Sequence, residues 1–124
     1  MKKEFKEALE NSPIIVAIKD DEGLKKCKTS DSQVVFILYG DICNIPDIVD
    51  EVKSAGKLAF VHLDLITGLS AKEIAADFVK RYTKADGIIT TKPALIKRAK
   101  ELSLYTILRL FVIDSMAYEN IERQ

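Results

Sequence analysis

His62 stands two residues before Asp64 in the segment Phe60-Val61-His62-Leu63-Asp64, and Arg109 lies inside the apolar run Tyr105-Thr106-Ile107-Leu108-Arg109-Leu110. On a strand, residues two apart share one face, so the imidazole and the carboxylate are neighbours. That pair suits gripping a ligand or moving a proton; it equally suits an aspartate that orients a histidine at a polar strand end. Arg109 needs an anion, because unpaired charge in an apolar wall is costly. The anion is either internal, from Asp64 or Asp114, or a ligand phosphate, which a guanidinium holds through two parallel hydrogen bonds. The chain has a single histidine, and two ligands are too few for a metal, so neither metal nor cofactor is expected.

Further polar residues cluster where apolar runs end: Lys19 and Asp20, Gly40 and Asp41, Thr90, Thr91 and Lys92, then Asp114 and Ser115. Thr90 and Thr91 suit capping a helix that starts at Pro93, and also suit offering hydroxyls and N–H groups to an anion. Lys19 and Lys92 are accounted for as solvated charges or as ligand contacts. No Walker loop, GxGxxG, serine elbow or CxxC is present, and no carboxylate pair stands out as acid and base, so no catalytic residue is assigned.

These positions matter only if the elements beneath them run in one direction. Five β-branched apolar runs, 14–18, 34–39, 58–63, 87–91 and 105–110, are apolar on consecutive positions, as in strands covered on both faces of a parallel sheet. Helical patterns separate them. Residues 22–28 form a short helix. Asn44-Ile45-Pro46 opens a second, with Ile48, Val49 and Val52 inward and Gly56 as its stop. Ser70-Ala71-Lys72-Glu73 reads as a capping box for a third, with Ile74, Ala75, Phe78 and Val79 inward. Pro93 starts a fourth with Leu95, Ile96, Ala99 and Leu102 inward. A last helix is expected from Met116 behind an Asp114 or Ser115 cap, and another over residues 2–10. The expected fold is α/β, a barrel-like (β/α) parallel sheet of about five units in one domain over 1–124. A sheet of that kind leaves its first and last strands open to pairing, which favours a homo-oligomer.

Lys+Arg and Asp+Glu both number 19, so bulk electrostatic binding of nucleic acid is disfavoured and any such contact must be local. Lys2, Lys3 and Lys6, or Lys97, Arg98 and Lys100, are basic clusters that suit such a contact or a solvated helix face. Cys27 and Cys43 form no pattern of a disulfide scaffold; both are expected reduced against the core, which fits the cytoplasm. The longest apolar run, Val34 to Tyr39, is too short to cross a bilayer, and no membrane partner is expected.

Three blocks, His62-Leu63-Asp64-Leu65-Ile66-Thr67-Gly68-Leu69, Gly87-Ile88-Ile89-Thr90-Thr91-Lys92 and Arg109-Leu110-Phe111-Val112-Ile113-Asp114-Ser115, occur in an order and spacing that resemble the glycerol-3-phosphate-responsive antiterminator family. The resemblance extends from Pro13 to the last residue. It implies a TIM-barrel-like regulator that, with glycerol 3-phosphate bound, binds the messenger leader of a glycerol operon and lets polymerase pass a terminator. It implies a place at or near the ligand for His62, Asp64, Gly68, Thr90, Thr91, Arg109, Asp114 and Ser115. Lys19 and Lys92 join the set where the family pattern leads one to expect arginine; charge survives there without the two-pronged grip. Further βα units are expected to follow in family members, which makes residues 1–124 the N-terminal part of a larger barrel. The alternative is a barrel enzyme on a small phosphorylated sugar or polyol, with His62 and Asp64 moving protons and Arg109 on phosphate.

Overall fold

A computed structural model describes residues 14–70, 72–111 and 116–118. The elements alternate as β1 (Ile15–Ile18), α1 (Asp21–Lys28), β2 (Val34–Ile37), α2 (Ile45–Ser54), β3 (Leu58–His62), a 3₁₀ turn (Leu63–Leu65), α3 (Glu73–Tyr82), β4 (Gly87–Thr90), α4 (Pro93–Glu101), β5 (Tyr105–Phe111) and β6 (Met116–Tyr118). Strands β1 to β5 lie in sequence order and pair parallel throughout. Order without reversal means that every right-handed crossover falls on the same side, which is the winding of a barrel wall.

The side chains follow that winding. Ile18, Val35, Ile37, Ala59, Val61 and Ile88 face the helices and pack with Leu24, Ile48, Val49, Val52, Ala76, Val79, Leu95 and Ala99. The other face carries a second core made by the strands themselves: Val34, Phe36, Leu58, Phe60, Ile89, Tyr105 and Ile107. With both faces covered, β2, β3 and β4 are buried at every position, which is why their sequences do not alternate. β1 is open by contrast, with Ile15 40% exposed.

One row of the strand-built core depends on a glycine. Registers align Phe36, Phe60, Gly87 and Tyr105 across neighbouring strands. Phe36 and Phe60 meet edge to face at 5.8 Å, and the Phe60 ring lies over Gly87. A Cβ there would come within 2.5 Å of the Tyr105 carbonyl oxygen and 2.6 Å of the Phe60 ring. At the opposite end from the polar residues, Asp86 is buried and ties three elements: its Oδ2 accepts from Ala59 N at 2.8 Å and from Lys53 Nζ at 2.9 Å. Lys57, also buried, donates to the Ser30 and Ser32 carbonyls at 3.0 and 2.6 Å. Asp86 and Lys57 fasten β3, β4 and the turn before β2 and have no part in the mouth.

Several expectations change. Met116–Tyr118 is not helical; it pairs antiparallel with Arg109–Phe111. An open strand edge offers a ready row of hydrogen-bonding groups, whereas a short helix pays for its nucleus before gaining a bond. The box at Ser70 does not form: α3 begins at Glu73, so the glutamate occupies the first helical position, and Lys72, the cap, makes no side-chain cap bond. Ile74 is 64% exposed, not inward; Ala75, Ala76 and Val79 turn to the core instead. Cys27 is buried but Cys43 is exposed, because it sits in the turn between β2 and α2, where its N–H donates to Asp41 Oδ1. The helix expected over 2–10 lies outside the described residues.

Gly87→Ala is expected to lower unfolding stability by about 1–3 kcal/mol, because the clash is with backbone and a packed ring that have nowhere to move. A lower urea midpoint at unchanged slope would show it; an unchanged midpoint would mean that the row tolerates a methyl group.

Candidate effector site at the C-terminal mouth

Parallel strands put the C-terminal ends of β1 to β5 on one rim, the end at which α/β proteins bind ligands. Two glycines shape this rim. Gly40, at φ +112°, has Asn44 Oδ1 3.0 Å from the position of a Cβ; Gly68, at φ +96°, has Ile42 Cγ2 at 3.0 Å. Both positive φ values disfavour other residues. The two loops are joined by backbone bonds, Ile42 N to Thr67 O and Thr67 N to Gly40 O, each 3.0 Å. Asp20 is taken up as the cap of α1, accepting from Gly23 N at 2.7 Å.

His62 and Arg109 meet. Arg109 Nη1 donates to His62 Nε2 at 2.7 Å in a buried contact. The two belong to β3 and β5, with β4 between them, so the backbones stand about 10 Å apart. The contact is possible because alternate strands turn side chains into the same layer of a barrel wall and because arginine is long. Burial, reinforced by the guanidinium, pushes the His62 pKa down to about 4, against a smaller opposing pull from Asp64. The imidazole is therefore neutral at pH 7. With Nε2 accepting from Arg109, the ring hydrogen belongs on Nδ1. Nδ1 is buried and bonds to no other described residue.

Asp64 does not take the role of counter-ion expected for Arg109. Its carboxylate turns to the end of β4, where Oδ1 accepts from Thr90 Oγ1 at 2.8 Å and Oδ2 from Thr91 N at 2.9 Å and from the Thr91 hydroxyl. Burial works against ionisation of Asp64, but the bonds from Thr91 and Thr90 outweigh it and hold its pKa below the ordinary value. Thr90 Oγ1 also accepts from Lys92 N at 3.1 Å. Thus the two threonines hold an anion, as their position before Pro93 allows, and the anion is the protein's own.

The remaining residues of the expected set divide. Lys19 and Lys92 are exposed on the rim after β1 and β4, and Gly68 is exposed in the loop after β3. Asp114 and Ser115 lie outside the described residues. Sequence reasoning missed the coupling of Asp64 to Thr90 and Thr91, 26 and 27 residues away; the position of all three at strand ends was the available signal. No described helix is long and apolar enough to cross a membrane.

In an NMR titration, the chain's single histidine is expected to protonate with a midpoint near 4, below its ordinary 6.5. Between those values the unfolded chain binds a proton that the native chain refuses, so stability is lost as pH falls from about 6.5 to about 4. The loss is on the order of 3 kcal/mol. A midpoint near 6.5 would contradict the buried, arginine-facing imidazole.

Comparison with known proteins agrees with this fold. Residues 14–124 match the family described as glycerol-3-phosphate responsive antiterminator. The uncharacterized protein YgcP of Escherichia coli (strain K12) is 44% identical over 116 residues, covering 94% of this chain and 61% of that protein. The crystal structure of the glycerol uptake operon antiterminator regulatory protein from Listeria monocytogenes str. 4b F2365 superimposes with a TM-score of 0.79 at 31% identity, over 84% of this chain and 56% of that one. A glycerol uptake operon antiterminator-related protein from Thermotoga maritima MSB8 gives a TM-score of 0.72 at 38% identity, over 83% and 58%. The chain thus spans somewhat more than half the length of these relatives. By sequence match and by fold, the chain belongs to the glycerol-3-phosphate responsive antiterminator family.

Proposed function

We propose that the mouth formed by the ends of β1 to β5 takes up glycerol 3-phosphate as an effector, and that the full protein binds the messenger leader of a glycerol utilisation operon as a transcription antiterminator. The observation that carries this reading is the buried Arg109–His62 pair, a guanidinium in an apolar wall beside an imidazole whose Nδ1 bonds to no other described residue. A phosphate dianion suits the guanidinium, and an imidazole N–H suits a ligand oxygen as its acceptor. Asp64 accepts three hydrogen bonds, and a carboxylate has about four lone-pair sites. The last of these suits a glycerol hydroxyl. Lys19 and Lys92, exposed on the same rim, add positive charge for an anionic ligand.

The family is named for a regulator, and the proton chemistry of the site agrees with binding over turnover. A histidine with pKa about 4 is a weak base at neutral pH, poorly matched to general acid–base work. In this reading residues 1–124 are the N-terminal part of a larger barrel, because the relatives are about one and a half times as long and barrel phosphate sites commonly draw on the loops after the last strands.

Glycerol 3-phosphate is expected to raise the melting temperature of the full-length protein, by the equivalent of about 2.7 kcal/mol at a hundredfold excess over Kd. Glycerol or inorganic phosphate alone should do less. Replacing both partners, in Arg109→Met with His62→Leu, removes the bond between them without orphaning either half of it and should abolish the response in a variant that circular dichroism shows to be folded. A full response in that double variant would remove the pair from the site, and no response in the wild type would end the proposal.

A further inference from the structure

The outer surface carries a feature for which the mouth has no use. Between α3 and α4 runs a groove of about 700 Å³. Its apolar side is the stripe Ile74, Phe78 and Tyr82, spaced four apart along α3 and so aligned on one face. Ile74 and Tyr82 are 64% and 61% exposed, and the Phe78 and Tyr82 rings lie 5.6 Å apart, tilted by 35°. α3 meets the core through Ala75, Ala76 and Val79, with Phe78 packed at its edge, so Ile74 and Tyr82 are the two apolar side chains of the stripe that the core does not take up.

The charge around the groove is uneven. Lys80, Arg81 and Arg98 line it against a single carboxylate, Asp77. Arg98 is spent internally: Nε donates to Asp77 Oδ1 at 2.8 Å and Nη1 to Glu101 Oε1 at 3.0 Å. Lys80 and Arg81 make no ion pair among the described residues. An exposed aromatic ring beside two uncommitted cations suits a polyanion that carries flat π-surfaces. A protein partner is less well matched, since the centres of protein interfaces are poor in lysine and charge.

We propose that the α3–α4 groove is a docking surface for single-stranded RNA, with a base stacked on Tyr82 and backbone phosphates on Lys80 and Arg81. This rests on the reading that the full protein binds RNA, and it places the contact on the outer helices, with Lys80 and Arg81 as its cations and Arg98, which also lines the groove, committed to Asp77 and Glu101.

The test is the affinity of the full-length protein for a glycerol operon leader transcript and for a mixed-sequence single-stranded RNA across a salt series. Tyr82→Ala should weaken binding roughly tenfold. Lys80→Ala with Arg81→Ala should flatten the slope of log K against log salt by about 1.4, or 0.7 per phosphate released. Lys25→Ala on α1 should leave slope and affinity unchanged, and a retained melting-temperature response to glycerol 3-phosphate identifies variants that are folded. Wild-type binding that survives both substitutions overturns the groove alone. No RNA binding by the wild type overturns the groove together with the antiterminator reading. If the substitutions dissociate a dimer without changing RNA affinity, the groove seats a second copy of the chain and the inference is overturned.

Discussion

Five strands laid side by side in one direction, joined by four helices on the same face, impose most of what is observed. The helix side is closed by packing against α1 to α4. The other side has no layer of helices among the described residues, and the strands fill it with their own side chains. In such a wall, alternate strands share layers. Phe60 and Tyr105 flank a glycine in one register row, and above it Arg109 reaches His62 from two residues beyond Ile107, the residue in register with the histidine. The Arg109–His62 pair is thus a continuation of the core by other residues, and its geometry is inherited from the packing beneath it.

The low-dielectric setting then determines the protonation states. Placing a guanidinium 2.7 Å from an imidazole is tolerable only if the imidazole is neutral, and neutrality leaves one ring nitrogen as a donor. Asp64, on a neighbouring strand end, is held by three hydrogen bonds from two threonines. Asp64 is thereby committed to Thr90 and Thr91 while Arg109 bonds to His62, and in the proposed reading a ligand with a negative end and a hydroxylated end matches that division. A direct Arg109–Asp64 salt bridge would have cancelled both.

The sequence made the parallel architecture readable because strands covered on both faces cannot hide: runs such as Val34-Val35-Phe36-Ile37 have no polar alternation. The strand ends, and with them the set from Lys19 to Arg109, followed. Helix faces were less legible. Ile74 fits an inward stripe as well as Ala75 does by spacing, and only the close approach of α3 to the sheet decides for the alanines. The strand at Met116–Tyr118 was misread because local pattern cannot register a free edge on β5. Asp86 and Lys57 gave no signal because their partners lie 25 to 33 residues away in the chain.

The central physical claim is that a neutral, buried imidazole and its guanidinium partner face the ligand from inside the wall. A crystal structure of the full-length protein with glycerol 3-phosphate tests it most directly. The account requires the ligand at the C-terminal mouth, with an oxygen within hydrogen-bond distance of His62 Nδ1 and the phosphate near Arg109. A ligand seated elsewhere, with His62 Nδ1 still enclosed by protein alone, would contradict it.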